Sequence, residues 1–245
     1  MSHSQVTIPG IRGFRAALAA FAVVLGSLAI WVLAPEFLRP STVGFTTDPQ
    51  LAERGYRNRA AAVAAARVGL IRGDLWSEAA FSYGNLLWSR DKNAPGAERP
   101  PLKETRAVTE RAIGYAPHDS RLWLLLAASH FRSERSNGVS AALKMSYYTG
   151  PNTIEIMPER LGLALQSHAL EDDEFRALVR HDIRVAVMRK AEFMPALIVA
   201  YANAPPAGKQ FVEKSLSELD PSALAVIRLQ EGPSTTPFSA DRPSR

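Results

Sequence analysis

The sequence predicts an all-α chain: one N-terminal transmembrane helix, then helical hairpins stacked as an α-solenoid of about ten helices. Three observations lead there. The 245 residues are rich in Ala, Leu and Arg and have few β-branched runs, a composition that favours helix. Ala16–Ala34 carries no charge; as a helix rising about 1.5 Å per residue it is roughly 28 Å long, close to the hydrocarbon thickness of a bilayer. Pro117 and Pro151 lie 34 residues apart, and each closes a pattern led by a tryptophan, the period of a helical-hairpin repeat.

In order along the chain, residues 1–15 form a polar tail ending in Arg12 and Arg15. Those two cations, outnumbering Arg39 beyond the span, predict a cytoplasmic N-terminus. Residues 16–34 are the anchor, with Phe14, Trp31 and Phe37 near its ends, where aromatic rings favour the interface. Two other readings compete with an uncleaved anchor. Val32 and Ala34 fit a signal-peptide cleavage site, although Pro35 would follow the cut directly. A buried helix of the globule is the other, although a helix apolar all round needs lipid or a large core. Residues 35–48, with Pro40, Gly44 and paired Thr, read as a linker.

The helical domain is expected over 49–229. Asp48-Pro49 is a helix start, with Asp as N-cap and Pro in the first turn. One helix is expected from there to about Ile71, closed by Gly73, with Asp74 opening the next. Asp91–Pro101, with four prolines and glycines, is an inserted loop. Asp119 or Ser120 caps the Trp123 helix, Ser136-Asn137-Gly138 makes a tight turn, and Gly150-Pro151-Asn152 ends the hairpin. Further helices are expected from Pro158 to Ala169 and from the acids Glu171–Glu174, placed where the macrodipole favours them, to Lys190. Phe193–Asn203, Pro206–Leu219 and Asp220-Pro221 to Leu229 complete the domain. Residues 230–245 read as a flexible tail.

The stretch Asp74–Pro151 resembles the tetratricopeptide family. Trp123, Leu126, Ala127 and His130, then Val139, Leu143, Ser146 and Pro151, fall at that repeat's spacing, although Val139 and His130 depart from its usual Ala and Tyr. An earlier copy runs through Trp76, Ala79, Ala80 and Tyr83, then Thr105, Thr109, Ala112 and Pro117. The resemblance implies that the first helices line a groove for an extended peptide or a partner helix. Its positions here are Asp74, Ser77, Phe81 and Asn85 in the first unit, and Arg121, Leu124, Ala128, Phe131 and Arg132 in the second. Arg121 and Arg132 could hold a carboxylate by bidentate hydrogen bonds, or be ordinary solvated residues. The stretches Arg72–Trp76 and Ala142–Asn152 also resemble uncharacterised, N-terminally anchored helical proteins of alphaproteobacterial type. That resemblance implies a scaffold and a location rather than an activity.

Little points to catalysis. No phosphate-binding glycine loop, nucleophile elbow or HExxH helix is present. His181-Asp182 is similar to the metal pair of HD-type phosphohydrolases, but reads more simply as an exposed helical pair. The absence of cysteine excludes disulfides and thiolate metal sites. A net charge of +5 spread over scattered arginines does not predict nucleic-acid binding. No cofactor is expected. The function expected is a protein-interaction scaffold of a bacterial cell-envelope assembly, tied to surface polysaccharide or secretion. It would be held in the inner membrane by Ala16–Ala34, with its domain in the periplasm and a protein partner there. An unrecognised envelope hydrolase and a small-anion binding domain are the alternatives.

Overall fold

The computed structural model describes residues 9–40, 44–88, 101–133 and 136–229. Most of the inserted loop, the tail 230–245 and part of the linker lie outside the described residues. Those described form twelve α-helices joined by short turns.

Helix α1, Pro9–Leu38, is longer than the uncharged segment it contains. None of its apolar window is buried in the protein, so the molecule has one N-terminal helix long and apolar enough to cross a membrane. Only its far end meets the domain: Pro35 is buried, and α1 packs against α3, Arg59–Gly69.

The expected helix from Pro49 to Ile71 is two helices. Helix α2, Pro49–Arg57, starts as its sequence requires, with Asp48 Oδ1 accepting from the backbone N–H groups of Gln50 and Leu51. It breaks at Asn58, where the Arg59 guanidinium folds back over the Tyr56 ring at 3.9 Å and donates to the Tyr56 carbonyl. The break lets α2 form its own small cluster of Ala52, Tyr56 and Leu86. Helix α3 then ends at Gly69 rather than Gly73, and Gly73 is instead the first residue of α4, Gly73–Gly84. A side chain at Gly73 would press on the Tyr115 carbonyl, 2.8 Å from where its Cβ would lie.

From α3 to α7 successive helices pack as neighbours. Helix α4 pairs with α5, Leu102–Tyr115, and α6, Ser120–Arg132, pairs with α7, Ser136–Thr149. Helix α5 bridges the two pairs and α4 also touches α6. The turn expected at Ser136–Gly138 is the first turn of α7. Gly138 is needed for approach, not for turning: a Cβ there would sit 2.8 Å from the His130 ring.

The two leading tryptophans occupy matching surroundings. The Trp76 indole N–H donates to the Leu70 carbonyl and that of Trp123 to the Pro117 carbonyl, both at 2.8 Å and both six residues back. Small residues surround them in the core, with Ala79, Ala80, Ala112 and Ala127 fully buried. Close approach of helices at such positions is what alanine permits and a larger side chain prevents.

Beyond α7 the neighbour order changes. Helix α8, Met157–Gln166, packs on α10, Lys190–Ala202, and on α9, Asp173–Met188. Helix α11, Pro206–Leu219, covers α9, and α12, Pro221–Leu229, closes on α11. One continuous apolar core nevertheless runs from Ala62 to Ile227.

Candidate functional site

Three of the expected groove positions lie on α4 and Asn85 caps its end, and together they do not form an open groove. Ser77, Phe81 and Asn85 are buried. Arg39 and residues 44–46, between α1 and α2, pack beside these positions. Arg39 donates Nε to Glu78 at 2.8 Å and forms a second bond to the same carboxylate. Its guanidinium also lies 3.9 Å from Asp74. Further along, the Phe45 ring meets Phe81 edge-on at 6.2 Å and Trp88 at 5.9 Å. Next to it the Asn85 carboxamide pairs with backbone on both sides, donating to the Gly44 carbonyl at 2.9 Å and accepting from the Thr46 N–H at 3.3 Å. Arg39 thus meets the start of α4, and residues 44–46 meet its end and the turn that follows it. In the stretch 35–48, expected to be a linker, Arg39 and residues 44–46 are docked on the helical domain.

At the α1 end this docking becomes an ion network. Arg72 donates to Asp74 at 2.6 and 3.2 Å and to Glu36 at 2.5 Å, and Arg39 also bonds Glu36 at 3.1 Å. The Arg72 guanidinium holds the Asp74 carboxyl below the ordinary aspartate range. Each solvent-facing pair of this kind contributes little alone, about 0–1 kcal/mol. Their effect here is orientation, because they tie the last turn of α1 to the α3–α4 turn and to α4.

The second-unit positions are also engaged. Arg121 makes a bidentate pair with Asp119 at 2.8 and 2.9 Å and lies 5.4 Å over the Phe81 ring. Asp119 Oδ1 is the helix cap as well, accepting from the Arg121 N–H. Arg132, half-buried, donates to the Leu87 carbonyl at 2.8 Å, and burial lowers its pKa. Phe131 packs against the core, and Leu124 and Ala128 lie inside it. The structure brings Phe81 and Arg121 together, and joins Asn85 to Phe81 through Phe45. Both arginines are spoken for within the chain, so the carboxylate clamp drawn from Arg121 and Arg132 is not poised. An open recess of about 640 Å³ does lie beside Arg121, lined by His118, Asp119, Asn152, Thr153 and Glu155. Its mixed charges do not define an anion site.

His181 and Asp182 point apart. His181 is exposed, whereas Asp182 is buried and takes a two-pronged bond from Arg160, 3.1 Å on each oxygen. A carboxylate so held cannot serve a metal. Arg160 is itself 1 % exposed. It also donates to the Gly150 carbonyl at 2.8 Å and stacks 4.1 Å over Tyr147. The end of α7 is thereby fastened to α8 and α9. Burial raises the Asp182 pKa, with Arg160 opposing that shift. Sequence reasoning missed Arg160, Gly44, Phe45 and Thr46. A readable hint existed only for Phe45, a lone aromatic between Gly44 and paired threonines.

Comparison with family models, with curated proteins and with solved structures finds no match. The class is therefore defined by the molecule alone. It is an all-helical protein with an exposed N-terminal apolar helix and a helical domain docked directly onto that helix's end.

Proposed function

We propose that the chain is a single-pass, membrane-anchored interaction scaffold, tetratricopeptide-like over α4–α7, held in a bacterial inner membrane with its domain in the periplasm. On this reading it organises a cell-envelope assembly, of the kind that handles surface polysaccharide or secreted cargo. The observation that carries the reading is the α4 face. At its end, residues 44–46 are held by the Asn85 carboxamide, which pairs with backbone on both sides of Phe45, and by the Phe81 and Trp88 rings. That is how a helical-hairpin array takes a peptide, here in cis. The matching indole bonds of Trp76 and Trp123 support two units of one kind, and the exposed α1 supports the anchor. Arg12 and Arg15 support the orientation.

The test is capture of envelope proteins by the full chain in bilayer nanodiscs, alongside an N85L variant in which the cis segment is released. A scaffold that uses this face gives a defined partner whose yield changes at least several-fold in N85L. Equal and non-specific capture by both proteins would count against it. Orientation has a separate test: a reporter fused after Arg245 should be active in the periplasm and silent in the cytoplasm.

A further inference from the structure

The turn between α3 and α4 leaves two large aliphatic side chains uncovered: Leu70 is 55 % exposed and Ile71 73 %. Its backbone is unusual. Leu70 has φ 50 and ψ −81, the one positive φ among the described non-glycine residues. Such a conformation is unfavourable for a residue with a Cβ and persists where the surroundings hold it. The holding contacts are visible, since the Trp76 indole N–H donates to the Leu70 carbonyl and the Arg72 N–H to the Gly69 carbonyl. The turn is thus kept in a strained form in which both side chains face outward.

Its position gives the reason. Arg72, the next residue, bonds Glu36 at 2.5 Å, and Glu36 lies two residues past Ala34. At about 1.5 Å per residue, Glu36 stands roughly 3 Å beyond the end of the apolar segment. The interfacial layer on each side of a bilayer is about 5–7 Å deep. With α1 spanning a membrane, the Arg72–Glu36 pair places the turn that carries Ile71 near the interface. Phe37, 86 % exposed on the last turn of α1, lies at the same level.

We infer that Leu70 and Ile71 insert into the bilayer interface beside α1, so that the α3–α4 turn is a second membrane contact of the domain. The occupant of this apolar tip is lipid, because the tip is continuous with the anchor and ion-paired to it. Two contacts, α1 and the turn, fix the tilt of the domain on the membrane where a single helix would leave it free to swing.

The inference rests on α1 being an anchor, and the test separates the two. The chain has no cysteine, so I71C, L25C and M188C each carry one environment-sensitive fluorophore in the full chain, reconstituted in phospholipid vesicles. The quencher is a lipid with a nitroxide high on its acyl chain. The expected result is quenching of I71C and L25C several-fold above M188C, with a blue-shifted I71C emission. An I71C probe quenched no more than M188C, while L25C is quenched, overturns the turn contact and leaves the anchor standing. A blue-shifted but unquenched I71C means that protein covers the tip and overturns lipid as its occupant. An unquenched L25C overturns both.

Discussion

Arg160 and Asp182 form a fully buried ion pair, and such a pair stabilises less than its geometry suggests, because both charges have left water. Removing one partner is a different matter. R160M should lower stability by about 3–5 kcal/mol, since Asp182 then stays buried without its counter-charge. The double variant R160M/D182L should recover much of that loss. Chemical unfolding of the full chain in nanodiscs, run as a double-mutant cycle, measures both. Asp172 behaves in the opposite sense with pH. Its carboxyl is held below the ordinary value of 3.8 by Lys144, which bonds it at 2.7 Å, and by the Phe175 N–H. A lowered folded pKa contributes stability that is present above 3.8 and lost as pH falls through the lowered value. D172N retains a helix cap but not the charge. The gap between wild type and D172N should therefore be open at pH 7 and close below the ordinary aspartate range. Asp182, with its pKa raised by burial, has the reverse sign: its contribution is full at low pH and falls as pH rises through the raised value.

The helices show what a sequence conveys and what it withholds. Starts at Asp48-Pro49, Asp119 and Asp220 were legible because a cap is local chemistry, settled within three residues. The tryptophan-led spacing was legible because periodicity is local too. The break at Asn58 and the closing of α3 at Gly69 were not, since they follow from what α2 and the α3–α4 turn pack against. Nor was the docked segment, whose bonds join residues 39 and 41 positions apart. The burial of Arg160 was not legible either, because it depends on a carboxylate 22 residues away. Of the groove positions suggested by the sequence, Ser77, Phe81 and Asn85 are buried, with residues 44–46 packed beside them. Gly84 tests how tightly α4 and α6 meet: a Cβ there would fall inside the Leu125 side chain. G84A should cost about 1–3 kcal/mol by overpacking, seen as a lower thermal midpoint with helical content unchanged below it.

At the scale of the whole molecule, helix α1 packs on the helical domain rather than standing clear of it. Glu36 and Arg39 carry the connection through ion pairs, Phe45 through its ring, and Gly44 and Thr46 through backbone paired with Asn85. A neutral hydrogen bond contributes about 0.5–1.5 kcal/mol net. The two Asn85 bonds thus contribute about 1–3 kcal/mol to holding residues 44–46. Amide hydrogen exchange at Thr46, in the full chain within nanodiscs, tests this most directly. Docking predicts strong protection of that amide in the wild type and its loss in N85L, with the core amides of α6 unchanged in both. Exchange at Thr46 as fast as in an unstructured peptide, in the wild type, would contradict it.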